Sequence, residues 1–448
     1  MSTPSPRAVS SSRRERRPEA SLRQPERVVV TGLGVVAPNG IGKEAYSLSL
    51  RQGKSGIRFH EHLREFGLAC QVGGIPEGIA ELRTRYLTEE QVIATSETMT
   101  LAAIAAIDAW TDAGLVRPPP DSEEVDWDSG VIVGTVTGGI DAIAEKLVPW
   151  SNAGKIRRLG STMIEQMMIS GNSARIGGLL ALGNQVSTNS SACSTGNEAV
   201  VNAFVRIREG RAKRMLAGGS EGHSKYAWAS ADSMKVLCRT HNDAPERASR
   251  PMSATAGGFV PSSGAGILVL ESLSSAQARG ARIYAEVLAG SVNSGGQRAG
   301  GSMSAPNTEG IRRCIRAAVE MAGIRAEEID AINGHLTATF ADPHEVESWS
   351  AALGLPPAKM PLIHATKSVI GHALGAAGGL ECVASVLELD EGFVHGSLNC
   401  EDLHPALVEY ADRIPQVTVH LPDLRVIAKA SFGFGDVNAC ILFRKFED

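Results

Sequence analysis

The chain has 448 residues, of which 43% are hydrophobic and 21% charged, as is ordinary for a globular protein. Its net charge of −5 gives no overall positive field for a nucleic-acid backbone, which excludes nucleic acid as a general partner. No uncharged apolar stretch approaches the roughly 18 residues of a membrane span. The seven cysteines are odd in number and form no Cys-x-x-Cys pair, which argues against a disulfide framework and favours a reducing, cytoplasmic location.

The N-terminal segment is rich in Ser, Pro and Arg and lacks the apolar stretch of a secretory signal. We expect residues 1–26 to be a disordered tail. The alternative is a transit peptide, although Glu15, Glu19 and Glu26 argue against a type of segment that is usually poor in acidic residues. Val28–Val30 then predict a buried strand that ends in Thr31–Gly34. This segment lacks the third glycine and the later acidic residue of a dinucleotide fingerprint, so a nucleotide cofactor is not expected.

Helical and strand-like patterns alternate after this strand. Residues 88–114 predict one helix, which Thr88 and Gln91 would start as a capping box. Val131–Val133 predict the next strand after a polar loop. Alternation of this kind predicts a mostly parallel sheet with helices on both faces.

The second part of the chain repeats the alternation. The strand Ile283–Val287 is followed by a helix with apolar residues at i, i+3, i+4 and i+7 that ends near Gly323, and then by the strand Ile329–Asn333. We therefore expect a duplicated α/β fold with halves at 27–281 and 282–448.

Cys193 lies between a short strand-like run that starts at Val186 and a helical stretch over 194–209. The small residues around it permit the sharp turn of a nucleophile elbow, and the amides at the start of the helix would lower the pKa of the thiol. A cysteine at such a junction is often structural, so Cys193 alone does not establish catalysis.

Two histidines, His335 and His372, each end a short predicted strand. His372 directly precedes the helical run 373–390, where a cationic imidazole is disfavoured, so we expect it to stay neutral and to donate a hydrogen bond. That property suits stabilisation of an enolate, although either histidine could instead be a structural residue. The eleven histidines include no HExxH motif and no Cys/His cluster at ligand spacing, so no metal is expected.

Asp342, Pro343 and Glu345 fit the N-cap, N1 and N3 positions of a helix that runs toward Leu353. Capping would account for both carboxylates without any role in chemistry.

Phe434 stands between two glycines after the strand 426–428. The glycines free its backbone amide to point into a cavity and its ring to move. One interpretation is an oxyanion hole formed by the amides of Cys193 and Phe434, and the other is an ordinary glycine-rich turn.

Together these motifs resemble the β-ketoacyl-acyl carrier protein synthases of the elongating, Cys-His-His class, over residues 27–446. His335–Thr339 match the family's His-Gly-Thr-x-Thr motif apart from Leu336, and Lys367–His372 match its Lys-Ser-x-x-Gly-His motif fully. Gly433–Gly435 match its Gly-Phe-Gly turn. The resemblance implies a thiolase-like duplicated α/β sandwich with α-β-α-β-α layers and two pseudo-symmetric halves.

The resemblance also assigns roles. It implies that Cys193, His335, His372 and Lys367 form the catalytic group, and that Phe434 gates the acyl pocket. Thr337 and Thr339 would hold the phosphopantetheine arm of a carrier protein. The implied reaction is decarboxylative condensation of malonyl-acyl carrier protein with an acyl chain on the cysteine, in fatty acid or related polyketide and lipid elongation, with no cofactor of its own.

The implied partners are an acyl carrier protein and a second subunit, in a homodimer or in a heterodimer with a related subunit. Because carrier proteins are acidic, we expect a basic patch at the pocket mouth. The candidate residues lie in two segments: Lys155, Arg157 and Arg158, and Arg206, Lys213 and Arg214.

The sequence departs from the family pattern at Leu336 and over Arg250–Gly264, where most of the usual charges are missing. One rival reading is a degradative thiolase, which would need a C-terminal Cys-x-Gly pattern that Cys440 does not provide. An initiating synthase would carry asparagine at His372. A non-catalytic subunit that sets chain length for an active partner would lack the nucleophile, and Cys193 argues against it.

Overall fold

The computed structural model describes residues 25–447, so residues 1–24 of the predicted tail lie outside the described residues. The strands are β1 Val28–Ala37, β2 Gly40–Ile41, β3 Ile57–Phe59, β4 Val72–Gly74, β5 Ser129–Gly134, β6 Val186–Ser187, β7 Arg214–Glu221, β8 Gly264–Ser272, β9 Ala285–Ser294, β10 Ala331–Asn333, β11 Leu362–His364, β12 Phe393–Val394, β13 Val419–His420, β14 Val426–Gly433 and β15 Val437–Lys445.

The α-helices are α1 Lys43–Arg51, α2 Glu61–Glu65, α3 Ile79–Leu82, α4 Glu89–Ile93, α5 Glu97–Asp112, α6 Ile140–Ala142, α7 Val148–Asn152, α8 Met163–Met167, α9 Gly171–Leu180, α10 Thr195–Arg208, α11 Lys225–Ser233, α12 Leu273–Ala278, α13 Thr308–Ala322, α14 Asp342–Leu353, α15 Lys367–Ile370 and α16 Ala377–Glu391. Within residues 25–447, no helix is both long enough and apolar enough to cross a membrane.

Eleven strands of the described chain form one mixed sheet, in the order β11-β10-β14-β15-β9-β1-β8-β7-β5-β6, with β2 paired to β1. The two sides of this sheet repeat one topology. In chain order, the first half contributes β1, β5, β6, β7 and β8, and the second half contributes β9, β10, β11, β14 and β15. From the centre of the sheet outward, the strands of each half lie in the order first, fifth, fourth, second, third. The two first strands, β1 and β9, pair antiparallel at the centre. The predicted duplicated fold with two pseudo-symmetric halves is confirmed.

The prediction of a mostly parallel sheet is wrong. In each half the second strand pairs parallel with the third and fourth strands. The fifth strand, however, returns antiparallel between the first and the fourth. Each half is therefore mixed. The passage between the halves at residues 281 and 282 stays a prediction.

Helices form three layers around these strands. Helices α10 and α16 contact each other and strands of both halves, so they lie in the middle. Helices α5 and α9 cover the outer face of the first half, and α13 and α14 pack on the second half. This is the expected α-β-α-β-α layering.

The two middle helices meet through glycines. A Cβ atom at Gly196 or at Gly378 would lie 2.6 or 2.3 Å from a backbone nitrogen of the opposite helix, closer than real Cβ atoms come. Cys193 directly precedes α10, and His372 precedes the turn that leads into α16. The glycine contact therefore sets the spacing between these two side chains.

Two local predictions are wrong in an instructive way. Thr88 and Gln91 do form the expected capping box, but the helix ends at Ile93, and Ser96 caps a second helix over 97–112. The strand predicted to end at 31–34 continues to Ala37.

The glycines in that strand do not form a turn. A Cβ at Gly34 would lie 1.8 Å from the carbonyl oxygen of Ala105 in α5. Glycine therefore lets the helix pack closely on the strand, which sequence alone does not distinguish from a turn.

Candidate active site

A cavity of about 320 Å³ lies between the two halves, and every residue that the sequence singled out for chemistry lines it except Lys367. Its walls include Cys193, His335, His372 and Phe434. Apolar residues such as Ile140 and Met234 also line it. Phe340, which also lines the cavity, is 75% exposed and so marks its mouth.

Cys193 occupies the expected elbow. It follows Ala192, whose φ of 48° is left-handed, and it directly precedes the Ser194 N-cap of α10. The expected low thiol pKa is not found, because burial raises the pKa of Cys193. The Lys367 ammonium and the backbone amides of Phe434 and Cys193 act in the opposite direction.

The turn that carries Phe434 approaches Cys193 closely. A Cβ at Gly433 would lie 3.0 Å from the backbone nitrogen of Cys193, so a larger residue would crowd the turn against Cys193. The backbone amides of Phe434 and Cys193 both lie near enough to the Cys193 sulfur to lower the pKa of its thiol. Two converging N–H groups beside a nucleophile can hold the oxygen of a tetrahedral intermediate.

Buried Asp436 holds this turn in place. Its carboxylate accepts hydrogen bonds from the amides of Gln297 at 2.9 Å and Asn307 at 2.8 Å. Phe434 itself is 38% exposed, so its ring is not locked in the core.

His335 follows β10, as predicted. The ammonium of Lys367 donates to the His335 carbonyl at 2.7 Å and lies 3.4 Å from its Nδ1. Since a lysine ammonium only donates, Nδ1 accepts, and the ring proton is on Nε2.

His372 does not end a strand, because Lys367–Ile370 form the short helix α15. It also precedes the start of α16 by several residues, with a 3₁₀ turn between. The amide of Leu374 donates to His372 Nδ1 at 3.2 Å, which places the ring proton on Nε2. That Nε2 is buried and has no hydrogen-bond partner among residues 25–447, so it can donate into the cavity.

These three side chains converge. Sγ of Cys193 and one ring nitrogen each of His335 and His372 lie within 4.8 Å of one another. The two imidazole rings meet edge to face, with centroids 5.4 Å apart. A thioester bound here could therefore place its carbonyl carbon against the sulfur and its adjacent atoms against both histidines.

Both histidines are neutral, as expected for His372, but the helix terminus is not the reason. Burial is the main cause that lowers the pKa of each ring well below its ordinary value, and Lys367 and Lys429 add repulsion of positive charge. Two neutral imidazoles with Nε2–H groups are hydrogen-bond donors, not bases, toward the cavity.

The prediction that Asp342 caps a helix is wrong, because Ala341 is the N-cap and no side chain caps it. The Asp342 carboxylate instead accepts from the amides of Thr337 at 2.8 Å and Ala338 at 3.0 Å. Buried Asp342 thus holds the segment that follows His335.

Glu345 holds the same segment. It accepts from the amides of His335 at 2.6 Å and Leu336 at 2.8 Å. Leu336 and Ala338 have φ of 25° and 62°, a left-handed geometry that non-glycine residues rarely adopt. The two carboxylates therefore stabilise a strained loop that keeps His335 in place.

Burial raises the pKa of Glu345 to about 7. Between pH 4.5, the ordinary pKa, and pH 7, the folded chain holds a proton on Glu345 that the unfolded chain has released. The free energy of unfolding therefore falls as the pH rises through this range. Glu345→Gln should remove this slope, which is at most about 1.4 kcal/mol per pH unit. Urea unfolding at pH 5 to 8 measures it.

Glu347→Gln, on the exposed face of the same helix, is the matched control and should keep the wild-type slope. Identical pH dependence in wild type and Glu345→Gln would contradict the raised pKa.

Thr337 and Thr339 both line the cavity, and their hydroxyl oxygens lie 2.9 Å apart. They lie next to Phe340 at the mouth. Two adjacent hydroxyls there offer hydrogen-bond donors and acceptors at the entrance of the cavity.

The altered segment Arg250–Gly264 keeps a charge network. Buried Arg250 pairs with Asp402 at 2.9 Å, and Asp402 also accepts from the hydroxyls of Ser253 and Thr255. Further along, the ring of Phe259 lies edge-on to His372 with centroids 5.1 Å apart. This segment therefore supports one wall of the site.

The predicted basic patch is wrong for one of its two segments, Arg206, Lys213 and Arg214. Arg214 is the first residue of β7, and Lys213 directly precedes it, whereas Glu221 at the other end of β7 contacts the cavity wall. Arg206 lies in the last turn of α10. Arg214 is also ion-paired with Asp126 at 3.0 Å. The other segment, Lys155, Arg157 and Arg158, is exposed.

Among the described residues, two groups of side chains are arranged so that they could hold a metal ion, and the spacing of these residues in the sequence did not reveal either group. One is the Cys193, His335 and His372 group itself, so a metal-free site stays a prediction. The other, fully buried, consists of His364, Glu388 and His395.

The side chains of the second group lie in contact with one another. His364 Nδ1 lies 3.2 Å from His395 Nε2, and His364 Nε2 lies 3.4 Å from the Glu388 carboxyl. Burial raises the pKa of Glu388 well above its ordinary value. Among the described residues, neither His364 Nε2 nor the Glu388 Oε2 that faces it has a hydrogen-bond partner.

Sequence reasoning missed two buried charged residues beside the site. Glu381 in α16 contacts Lys367, and Lys429 in β14 lies 2.8 Å from Glu381. The only available signal was a lone charge within an apolar helix or strand.

Comparison with known proteins identifies the family. The models for the beta-ketoacyl synthase N-terminal and C-terminal domains match residues 25–276 and 284–401. The 3-oxoacyl-[acyl-carrier-protein] synthase 1 of Escherichia coli is 34% identical, with 94% of this chain and 100% of that protein covered. Synthase 2 of Rhizobium meliloti is 33% identical, with 94% and 99% covered.

Solved structures agree. The ishigamide ketosynthase/chain length factor is 30% identical with a TM-score of 0.84, and 94% of this chain and 100% of that chain are covered. A type II PKS ketosynthase in complex with its acyl-carrier protein is 29% identical with a TM-score of 0.82 and the same coverage.

Duplicated halves and a Cys-His-His pocket between them define a thiolase-like condensing enzyme. The chain belongs to the β-ketoacyl synthase family, whose members are condensing acyltransferases.

Proposed function

We propose that this enzyme is an elongating 3-oxoacyl-acyl carrier protein synthase that condenses malonyl-acyl carrier protein with an acyl chain held on Cys193. The observation that carries the proposal is the convergence of the Cys193 sulfur with ring nitrogens of His335 and His372 within 4.8 Å. It needs no cofactor of its own, because both substrates arrive on the phosphopantetheine arm of the carrier.

In the first half-reaction the Cys193 thiolate attacks an acyl thioester carbonyl. The amides of Cys193 and Phe434 hold the oxygen of the tetrahedral intermediate while the carrier thiolate leaves. Lys367 and the same amides favour the thiolate against the cost of burial. The proton that Cys193 releases to solvent on forming the thiolate is balanced by the proton that the departing carrier thiolate takes up, so the products are an acyl-cysteine and a free carrier thiol.

In the second half-reaction malonyl thioester enters the cavity. The Nε2–H groups of His335 and His372 donate to its thioester oxygen as the carbon–carbon bond to the carboxylate breaks and carbon dioxide leaves. The resulting enolate carbon attacks the acyl carbonyl on Cys193. The cysteine leaves as thiolate, and the 3-oxoacyl chain remains on the carrier.

The carrier arm is bound in this proposal by Thr337 and Thr339, whose hydroxyls face the cavity near its mouth. The exposed residues Lys155, Arg157 and Arg158 follow α6 and α7, which lead away from the cavity wall at Ile140, and they are the proposed contacts for an acidic carrier protein. A relative solved with its acyl-carrier protein supports this partner.

We place the enzyme in the cytoplasm as a homodimer. All seven cysteines are free thiols, which suits a reducing compartment. Within the described residues β6 forms one end of the sheet, with Val186 40% and Trp127 72% exposed nearby. Pairing of this edge with a second copy would cover both.

The alternative is a non-catalytic or heterodimer-partner subunit that sets chain length. The similarity to the ishigamide ketosynthase/chain length factor keeps a heterodimer as an alternative assembly. Cys193 and the two histidines favour the catalytic role.

The test is condensation by the purified chain of malonyl-carrier protein with a panel of acyl-carrier proteins, with intact-mass detection of acyl-Cys193. An enzyme that neither becomes acylated nor releases carbon dioxide from malonyl-carrier protein would contradict the proposal.

Phe434→Ala should uncouple the two half-reactions. Without the ring, malonyl decarboxylation by the unacylated enzyme should rise relative to the acylated enzyme by about threefold or more, because the gate no longer depends on acylation. Stability should fall by less than the ~3–5 kcal/mol expected for a fully buried aromatic residue, because the ring is 38% exposed.

Phe340→Ala, at the cavity mouth but outside the turn, is the control and should keep the coupling. A large fall in melting temperature with unchanged coupling in Phe434→Ala would make Phe434 a structural residue.

A further inference from the structure

Lys429 is a fully buried lysine that the reaction described above does not use. It lies in β14, the strand that leads to the Phe434 turn. Its Nζ lies 2.8 Å from a Glu381 oxygen and donates to the Ala430 carbonyl and, at 3.2 Å, to the Ser431 hydroxyl. An ammonium is stable in such a place only when it is paired.

Glu381 is shared by two lysines. Its second oxygen contacts Nζ of Lys367, which also donates to the His335 carbonyl and faces His335 Nδ1. The contacts therefore run in series from Lys429 through Glu381 and Lys367 to His335. Two ammonium groups and one carboxylate leave an excess positive charge beside the histidines.

We propose that Lys429 is a positioning residue for the malonyl half-reaction, which fixes the Glu381 carboxylate so that Lys367 remains directed at His335 Nδ1. The inference rests on the proposed function for the reaction that it affects. Without Lys429, Glu381 would have Lys367 as its single cationic partner and would draw the ammonium away from His335. The His335 ring would then lose the contact that keeps its proton on Nε2.

Electrostatics act in the same direction. Lys429 repels positive charge on both His335 and His372 and adds to the burial that lowers the pKa of each ring. Loss of Lys429 would therefore raise the pKa of both rings, and it would also leave the His335 ring less well oriented.

Lys429→Met removes the charge and keeps most of the volume. We expect the kcat of malonyl decarboxylation to fall about tenfold or more, with KM within about twofold and acylation of Cys193 within about threefold of wild type. Lys445→Met is the matched control and should behave as wild type, because this lysine of the neighbouring strand β15 donates to the Pro422 carbonyl, away from Glu381. Unchanged decarboxylation in Lys429→Met, or equal losses in both half-reactions, would overturn the proposal.

Lys429→Ala provides a second route, since it leaves a space beside Glu381 that an ammonium ion can occupy. Decarboxylation by this variant should recover about threefold or more in ammonium chloride relative to sodium chloride at equal concentration. No recovery in a folded protein would contradict the positioning role. Failure of both variants to fold would also contradict it, because Lys429 would then be a determinant of folding.

A readout without substrate separates this inference from the proposed function. Nitrogen-15 NMR of labelled histidine should show a higher pKa for His335 in Lys429→Met than in wild type. The titratable and charged groups around that ring are Cys193, Glu345, Lys367, His372, Glu381 and Lys429. A wild-type enzyme without malonyl decarboxylation would refute the function alone, whereas an unchanged His335 pKa would refute the role of Lys429.

Discussion

Cys193→Ala should abolish condensation and all acylation of the enzyme, a loss of about 1,000-fold or more in turnover, while the chain stays folded. The sulfur is the atom that forms the bond to the acyl chain, and no neighbouring side chain in the cavity can replace it. Alanine fits the elbow because the adjacent residue, Ala192, is already small. Intact-mass measurement after incubation with acyl-carrier protein, together with a condensation assay, measures both losses.

Cys314→Ala is the matched control, since this cysteine is buried in α13 with its thiol donating to a backbone carbonyl. Normal activity in that variant and normal thermal melting in both would assign the loss to chemistry. Condensation by Cys193→Ala at the wild-type rate would refute the nucleophile and with it the proposed function.

Replacement of either cavity histidine should separate the two half-reactions. His335→Ala or His372→Ala should lower malonyl decarboxylation by about 100-fold or more, because each variant removes one N–H donor to the developing enolate. Acylation of Cys193 should remain within about tenfold of wild type, since both rings carry their proton on Nε2 and neither is arranged to remove the thiol proton. Release of carbon dioxide and intact mass report the two steps.

His372→Asn retains an N–H donor and should recover part of the lost decarboxylation. His344→Ala, on the exposed side of α14, should leave both steps unchanged. A His335 or His372 variant that loses acylation but keeps decarboxylation would reverse the assigned roles.

Short motifs predicted which side chains meet in the cavity, because each motif reports a local geometry. The turn at Cys193 and the Gly-Phe-Gly turn depend on small residues within a few positions of each other, and sequence displays these directly. The order of helices and strands similarly predicted the duplication. The antiparallel return of the fifth strand in each half was not predicted, because strand direction depends on which strands become neighbours.

The support of the site was harder to predict for a different reason. Asp342 and Glu345 fit a helix start in sequence, but their carboxylates bind amides of the His335 loop, which is brought there by folding. Lys429 lies in an apolar strand, and nothing in the sequence indicates that Glu381 neutralises it. Buried charge pairs depend on long-range contacts, so local patterns do not reveal them.

The glycine contact between α10 and α16 limits how substrate preference can change in this enzyme. Backbone atoms meet there without side chains between them, so the helices cannot separate gradually by substitution of larger residues. Cys193 and His372 thus keep one mutual distance whatever acyl chain is handled. Adaptation to longer, shorter or bulkier chains must come from side chains of the surrounding walls, such as Ile140 and Met234, which lie outside those two helices.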